Sequence, residues 1–282
     1  MKCYQRYFPV CLLALFASAA SGQAPDTGDA LDFAVLGATV TCTTSVIAGD
    51  VGISPTTAFT NTGCTIAGGM PPATNAAAAG ARGDFLDAYD DARALPCPSG
   101  NVLLSTITGP VTLLPGVYCT GAALTGTGVL TLDAQGDPDA VWVFQIGTAA
   151  TGALTGTNFT VVMANRGQPC NVFWAPSAGV TMTTSALKGN ILAGNPIGGS
   201  ITVTGGSVAG AVLAAVAVTM TNTSVVSCGT LSPDEESCKP RKHHHHKHKK
   251  GHDKDKGHGH HNPFDKHDRD DKHDRKDDKH RR

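Results

Sequence analysis

Val180-Thr-Met-Thr183, Ile201-Thr-Val-Thr204 and Val218-Thr-Met-Thr221 decide the fold of this 282-residue chain. Each puts an apolar residue at every second position, with Thr between and after. A strand points successive side chains to opposite faces, so this period of two describes a half-buried strand. Each stretch has companions in fixed places. Before it come Asn171-Val-Phe-Trp174, Gly189-Asn-Ile-Leu192 and Gly210-Ala-Val-Leu213. After it come Ser185-Ala-Leu-Lys-Gly189, Ser207-Val-Ala-Gly210 and Ser224-Val-Val226. The unit recurs at steps of roughly 17–21 residues. Three strands per step make a three-sided coil, and stacked coils bury one continuous core that no single coil could form. A similar unit opens the domain, with Phe33-Ala-Val-Leu36, Thr39-Val-Thr41 and Ser45-Val-Ile-Ala-Gly49; another runs from Val141-Trp-Val-Phe144 to Val161-Val-Met163. The fold class is therefore mainly β, a triangular solenoid.

One segment breaks the pattern. From Asn75 to Leu95 the chain is Ala-rich and lacks β-branched residues, which predicts a helix over about 74–95. Ala78, Ala81, Phe85, Tyr89 and Ala92 share one face, while Asp84, Asp87 and Asp91 lie elsewhere, towards water. Pro71-Pro72 precedes the segment and Pro96-Cys97-Pro98 stops it. The apolar face of a single helix can be buried here only along the side of the solenoid.

The two ends differ in composition from the middle. Residues 1–24 read as a secretory signal peptide: Lys2 and Arg6 start it, Val10 to Ala20 is a short apolar run, and Ala20-Ser21-Gly22 offers cleavage. The run is too short to span a membrane. Residues 239–282 hold 16 Lys and Arg, 9 Asp and all 12 His, with Phe264 their only large apolar residue. Such a tail cannot build a core and is expected to be disordered. Between them, residues 25–238 form one domain with 4 basic residues (Arg82, Arg93, Arg166, Lys188) against 14 acidic ones. A domain this acidic cannot neutralise phosphates, which excludes nucleic acid as a partner. It also has no His, so a Ser-His-Asp or Cys-His arrangement is impossible within it, and catalysis is not expected.

Seven cysteines remain after cleavage, and in an exported protein they predict disulfides. Pairing by proximity in sequence suggests Cys42–Cys64, Cys97–Cys119 and Cys228–Cys238, although spacing alone does not fix connectivity.

The chemistry on offer is a Thr array. With Val180 and Met182 inside, Thr181 and Thr183 point out, as do Thr202, Thr204, Thr219 and Thr221. Thr39, Thr41, Thr125, Thr127, Thr148 and Thr151 are expected to join them. Residues i and i+2 stand about 6.5–7 Å apart and stacked coils about 4.8 Å apart. A flat grid of methyls and hydroxyls on those spacings can order water into an ice-like layer. An exposed Thr row is also what an ordinary solvated strand face looks like, because Thr is a good strand former.

Longer stretches carry a resemblance. They are Phe33-Ala-Val-Leu36, Ile47-Ala-Gly-Asp-Val-Gly-Ile-Ser-Pro55, Leu114-Pro-Gly-Val-Tyr-Cys119, Leu130-Thr-Leu-Asp-Ala-Gln-Gly-Asp-Pro138, Ala140-Val-Trp-Val-Phe-Gln-Ile146, Cys170-Asn-Val-Phe-Trp174 and Lys188-Gly-Asn-Ile-Leu192. In this order they resemble the microbial ice-binding proteins, over about residues 31–228. The resemblance implies a discontinuous right-handed β-helix, whose N-terminal coil packs next to the C-terminal ones, with one long helix alongside. It implies an ice-adsorbing flat face, no cofactor, and a secreted, antifreeze activity. The Thr-Ala/Gly-x-Thr/Asn pattern common on such faces is met by Thr148-Ala-Ala-Thr151 and Thr155-Gly-Thr-Asn158.

Two other kinds of function compete with this one. A secreted adhesive module, attached to cell surface or glycan through its tail, would show exposed aromatic platforms; Trp142 and Trp174 both lie in apolar strands. Asp133, Asp137 and Asp139 read as a polar turn around Gly136 and Pro138 rather than a metal site. In the tail, His243, His244, His245, His246, His258, His260 and His261 could hold transition metals loosely. Its charge of about +7 could equally bind an anionic surface, or simply keep the chain in solution. Asn158-Phe-Thr160 and Asn222-Thr-Ser224 match the N-glycosylation acceptor pattern. A monomer is expected.

Overall fold

The computed structural model describes residues 23–69, 76–103, 105–148 and 150–230. The expected signal peptide lies almost wholly outside them, and so do Cys238 and the tail with its histidines.

The strands are parallel throughout and stack into a three-sided solenoid. On the first side the spatial order is Gly116–Thr120, Trp142–Ile146, Val172–Pro176, Asn190–Ala193 and Val212–Ala214. The next strand in space is the start of Phe33–Thr43, followed by the start of Asp50–Thr62. The first coils of the chain thus extend the stack beyond its last coil, and the discontinuity implied by the resemblance is present. Val35 pairs with Val212 and Val40 with Val218, so the join keeps the register of the interior rows.

Alternation along each strand fills the interior. Leu124, Leu154, Val180, Ile201, Val218 and Val40 form one buried row. Aromatic residues plug one end of the core: Phe144 stacks on Trp174 at 4.1 Å between ring centroids, and Tyr118 on Phe144 at 5.7 Å. Trp142 and Trp174 are both 0% exposed. Their indole N–H groups are satisfied by Leu113 O and Lys188 O. Among the described residues no buried side-chain nitrogen or oxygen lacks a partner.

Helix α1 spans Ala76–Ala94, within the expected range. It covers the first side. Ala78, Ala81, Phe85, Ala88, Tyr89 and Ala92 pack against a second buried cluster that includes Leu36, Val143, Phe173, Leu192 and Leu213. A fully buried Phe such as Phe85 contributes about 2–3 kcal/mol. Polar cleats set the helix in register. Arg82 donates to Ala214 O at 3.5 Å and Ala215 O at 2.8 Å. Arg93 donates to Ile146 O, Ala175 O and Gly147 O at 3.2, 3.1 and 2.6 Å. Gln145 Nε2 donates to Ala92 O and Leu95 O, carbonyls at the helix end that have no partner within the helix. Asp87 and Asp91 are exposed as expected. Asp84 differs: it is half-buried and accepts the Asp29 N–H at 2.8 Å, which ties the N-terminal segment to the helix.

Two expected disulfides form, Cys42–Cys64 and Cys97–Cys119. The third expectation is corrected: Cys228 pairs with Cys170, not Cys238. The first two bridge cysteines 22 residues apart, about one coil, so neighbours in sequence are also neighbours in space. Cys170 and Cys228 are 58 residues apart in sequence but only 5.8 Å apart at Cα, so this bridge ties the end of the domain back to the coil that begins at Val172.

Candidate functional site

The second side of the solenoid carries the Thr array, and the strand register defines it. Thr106 pairs with Thr125, Thr125 with Thr155, Thr155 with Thr181, Thr181 with Thr202 and Thr202 with Thr219. Across the join, Thr219 pairs with Thr41 and Thr41 with Thr60. One unbroken column of threonine therefore crosses eight strands. Two residues on, a second column runs through Thr157, Thr183, Thr204, Thr221, Thr43 and Thr62. Thr127 is exposed next to it, its N–H donating to Ile107 O.

The flanking outward position holds small residues. Ala217, Thr39 and Ala58 are paired there, and Ala153, Gly179 and Ser200 precede the adjoining strands in the same place. Neither column contains a charged or titratable side chain. Each Thr pair faces outward because the residue between it is buried: Met182, Val203, Met220 and Cys42 are all 1% exposed or less. The stacking sets the spacing of the grid at about 4.8 Å between strands and about 6.5–7 Å along them.

At the far edge the six strands of the second column turn a corner through a left-handed residue: Asn158, Thr184, Gly205, Asn222, Thr44 and Gly63 all have positive φ. Asn and Gly enter this region at little cost, whereas Thr does not, so a neighbour must hold it there. The Thr44 hydroxyl donates to Asn222 Oδ1 and the Thr184 hydroxyl to Asn158 Oδ1. Both glycosylation-pattern asparagines thus sit on the rim of the Thr face.

The structure brings together most of the residues singled out in the sequence. Thr41, Thr125, Thr181, Thr202 and Thr219 lie in the first column, Thr183, Thr204 and Thr221 in the second, and Thr39 on the flank. Thr148 and Thr151 are not in either column: both are exposed in the turn between Trp142–Ile146 and Leu154–Thr157. The Thr151 hydroxyl donates back to Thr148 O at 2.6 Å. Thr43, Thr60, Thr62 and Thr106 belong to the columns without having been expected there, and Thr155 and Thr157 were pointed to only by the pattern Thr155-Gly-Thr-Asn158. The coil step would have found Thr155 and Thr157, because Leu154-Thr-Gly-Thr157 is the same unit with Gly in place of an inward apolar residue. A Cβ on Gly156 would meet Met182 Sδ at 2.4 Å, so neighbouring side chains already fill that space.

The acidic turn is structural. Asp133 accepts the Gln135 N–H and an Asn165 amide proton, each at 2.8 Å. Those bonds, the backbone one first, hold its carboxyl below the usual carboxylate range. Asp137 accepts the Asp139 N–H at 2.9 Å. Among the described residues no cluster of His, Cys, Asp and Glu has metal-binding geometry. Nor is any described helix long and apolar enough to cross a membrane.

A family model described as Ice-binding-like matches residues 34–226. An ice-binding protein of Nostoc sp. (strain HG1) is 34% identical over 200 residues, 68% of this chain and 72% of that one. An ice-binding protein from an Antarctic biological consortium superposes with a TM-score of 0.61 at 33% identity, covering 73% of this chain and 92% of that one. One from the Antarctic ascomycete Antarctomyces psychrotrophicus gives 0.65 at 28% identity, covering 74% and 100%.

Proposed function

The chain belongs to the ice-binding-like family, and on that premise we propose that it adsorbs to ice through its threonine side, outside the cell. The observation that carries this is the column of eight paired threonines continued across the chain's own discontinuity, with a second column beside it. Each methyl disfavours ordinary hydration and each hydroxyl anchors a water. Repetition on a stiff platform lets those waters take up an ice-like order that merges with the crystal. One such contact is weak, and many in register add up. Attached molecules force the ice between them to grow curved, which lowers the local freezing point and slows recrystallisation. Thermal hysteresis and recrystallisation inhibition are the activities this mechanism produces.

Export is part of the same proposal. It rests on the leader-like N-terminus and on three disulfides, which persist in oxidising compartments. An adhesive, glycan-binding role finds no aromatic platform in Trp142 or Trp174, both fully buried. Two of the domain's four basic residues, Arg82 and Arg93, are committed to holding the helix, which leaves little charge to assist catalysis.

The test is the full chain with Thr202→Tyr and Thr219→Tyr. Each ring projects from the middle of the first column and lifts the face off the lattice. Thermal hysteresis and partition into growing ice should fall at least about ten-fold, a loss of about 1.4 kcal/mol of adsorption or more, with circular dichroism unchanged. Full ice affinity in a folded double variant would sink the assignment of this face.

A further inference from the structure

Behind the rim of the Thr face lies a line of buried hydroxyls that the ice-facing chemistry does not use. Ser45, Ser185 and Thr223 are each 2% exposed and each directly follow a left-handed corner residue. The Ser45 hydroxyl donates to Thr43 O at 2.9 Å, and the Ser185 hydroxyl to Thr183 O at 2.9 Å. The Thr223 hydroxyl is shared between Thr221 O at 3.1 Å and Val203 O at 3.2 Å. The acceptors Thr43, Thr183 and Thr221 are members of the second Thr column.

The Ser45 and Ser185 oxygens also accept a backbone proton from the adjoining coil. Thr223 N–H donates to Ser45 Oγ at 3.1 Å, and Phe159 N–H to Ser185 Oγ at 3.2 Å. One hydroxyl therefore fixes the last peptide of its own strand and the first peptide beyond the neighbouring corner. Ser45 couples the coil of Thr43 to that of Thr221. Ser185 couples the coil of Thr183 to that of Thr157. Thr223 reaches back to the coil of Thr204 through Val203 O. Three of the corners are followed by residues without a hydroxyl, Phe159, Gly206 and Cys64; at Gly206 a Cβ would meet Ser185 O at 2.0 Å, so no side chain fits there.

We propose that Ser45, Ser185 and Thr223 are positioning residues for ice adsorption. They lock the carbonyl ends of the second Thr column against one another from coil to coil and so hold the grid flat and in register. The proposal rests on the threonine side being the ice-binding face. A flat grid has value only when many hydroxyls meet ordered water at once. A coil free to tilt at its corner would take its second-column Thr out of plane while leaving the core intact.

Thr223 permits a clean separation, because Val has its shape without the hydroxyl and Ser has the hydroxyl without the methyl. The experiment compares full-length Thr223→Val, Thr223→Ser and Ser185→Ala with the parent by thermal hysteresis and by partition into ice near 0 °C. Amide hydrogen exchange is read on the same samples. The hydroxyl-free variants should lose several-fold in activity, with faster exchange at corner amides, while Thr223→Ser keeps activity near the parent value. Parent-like activity in folded Thr223→Val and Ser185→Ala would overturn the proposal, and so would an equal loss in Thr223→Ser. If Thr223→Val does not fold, Ser185→Ala alone decides by the same criterion. Thr202→Tyr, measured alongside, separates the two ideas: its failure to reduce activity counts against the face itself, whereas loss there with parent-like corner variants counts only against the hydroxyls.

Discussion

Thr41 stands beside Thr219 in the strand ladder, so the column that begins in the C-terminal coils is continued by the N-terminal one. Without that contact the first column would stop at Thr219 on one side and hold only Thr41 and Thr60 on the other. The area available to ice depends on closure of the stack, and closure depends on few covalent ties. Cys170–Cys228 is one that fastens the last coil to the body.

Loss of that bridge should therefore lower stability. For a loop of this length the usual contribution is about 2–4 kcal/mol. The Cys170→Ser and Cys228→Ser double variant should melt several degrees lower than the parent, by circular dichroism or calorimetry. Its thermal hysteresis near 0 °C should persist, because the ladder pairing between Thr41 and Thr219 remains. An unchanged melting temperature would mean the bridge adds nothing to closure.

Arg93 should matter to stability and not to ice. Its guanidinium supplies three backbone carbonyls, on the side that α1 covers. Arg93→Ala leaves those acceptors short of a charged donor, at a cost of about 2–3 kcal/mol. Arg93→Lys should restore little, since an ammonium lacks the planar fork that reaches carbonyls in different directions. Asp87→Asn, exposed on the same helix, should stay within about 0.5 kcal/mol of the parent. Denaturant titration of the three variants checks the order.

Activity should be nearly independent of pH. Neither Thr column titrates, and the resolved shifts lie at the extremes. Asp133 has a depressed folded pKa, so its contribution is present above the ordinary carboxylate value and lost only as pH falls through the lower folded one. Tyr89 and Tyr118 are raised, burial being the first cause in each, so the neutral phenols they favour are lost only at high pH. Thermal hysteresis of the domain should be flat from about pH 5 to about pH 9. The tail holds all 12 histidines, so a step near pH 6.5 in the full chain, absent after removal of residues 239–282, would come from the tail. A step in the domain itself would contradict the account of the face.

Much of this was readable in the chain. Val180-Thr-Met-Thr183 and its two repeats state both the strand and its outward face, because every second residue is apolar. The helix was legible for the same reason, from Ala78 to Ala92 at helical spacing. The misplacement of Thr148 and Thr151 has a simple origin. They are three residues apart, and a strand would point them to opposite faces, so a pair with that spacing suits a turn. Thr60 and Thr62 lie on Asp50–Thr62, which begins on the helix side and crosses a corner before reaching the Thr side, and that long strand masks the repeat unit; Thr43 simply continues the alternation of Thr39-Val-Thr41 by one more step. Cys170–Cys228 was hidden because 58 residues separate the two cysteines, so proximity in sequence gives no sign of the pairing. The buried hydroxyls of Ser45, Ser185 and Thr223 look in sequence like ordinary turn residues; only the stacked corners show what they hold.

The discontinuity has a kinetic side. The strand Val212–Ala214 has neighbours on both flanks, Asn190–Ala193 and the start of Phe33–Thr43. The segment made first must therefore wait beside an empty place until nearly the whole domain has been synthesised. A simple solenoid can grow coil by coil from any point. Here the ring of contacts closes only when the two ends of the domain meet, a long-range pairing of the kind that slows folding. A chain whose final docking step comes last stays loose while it emerges, and a loose chain is the form in which a polypeptide can be threaded through a narrow pore.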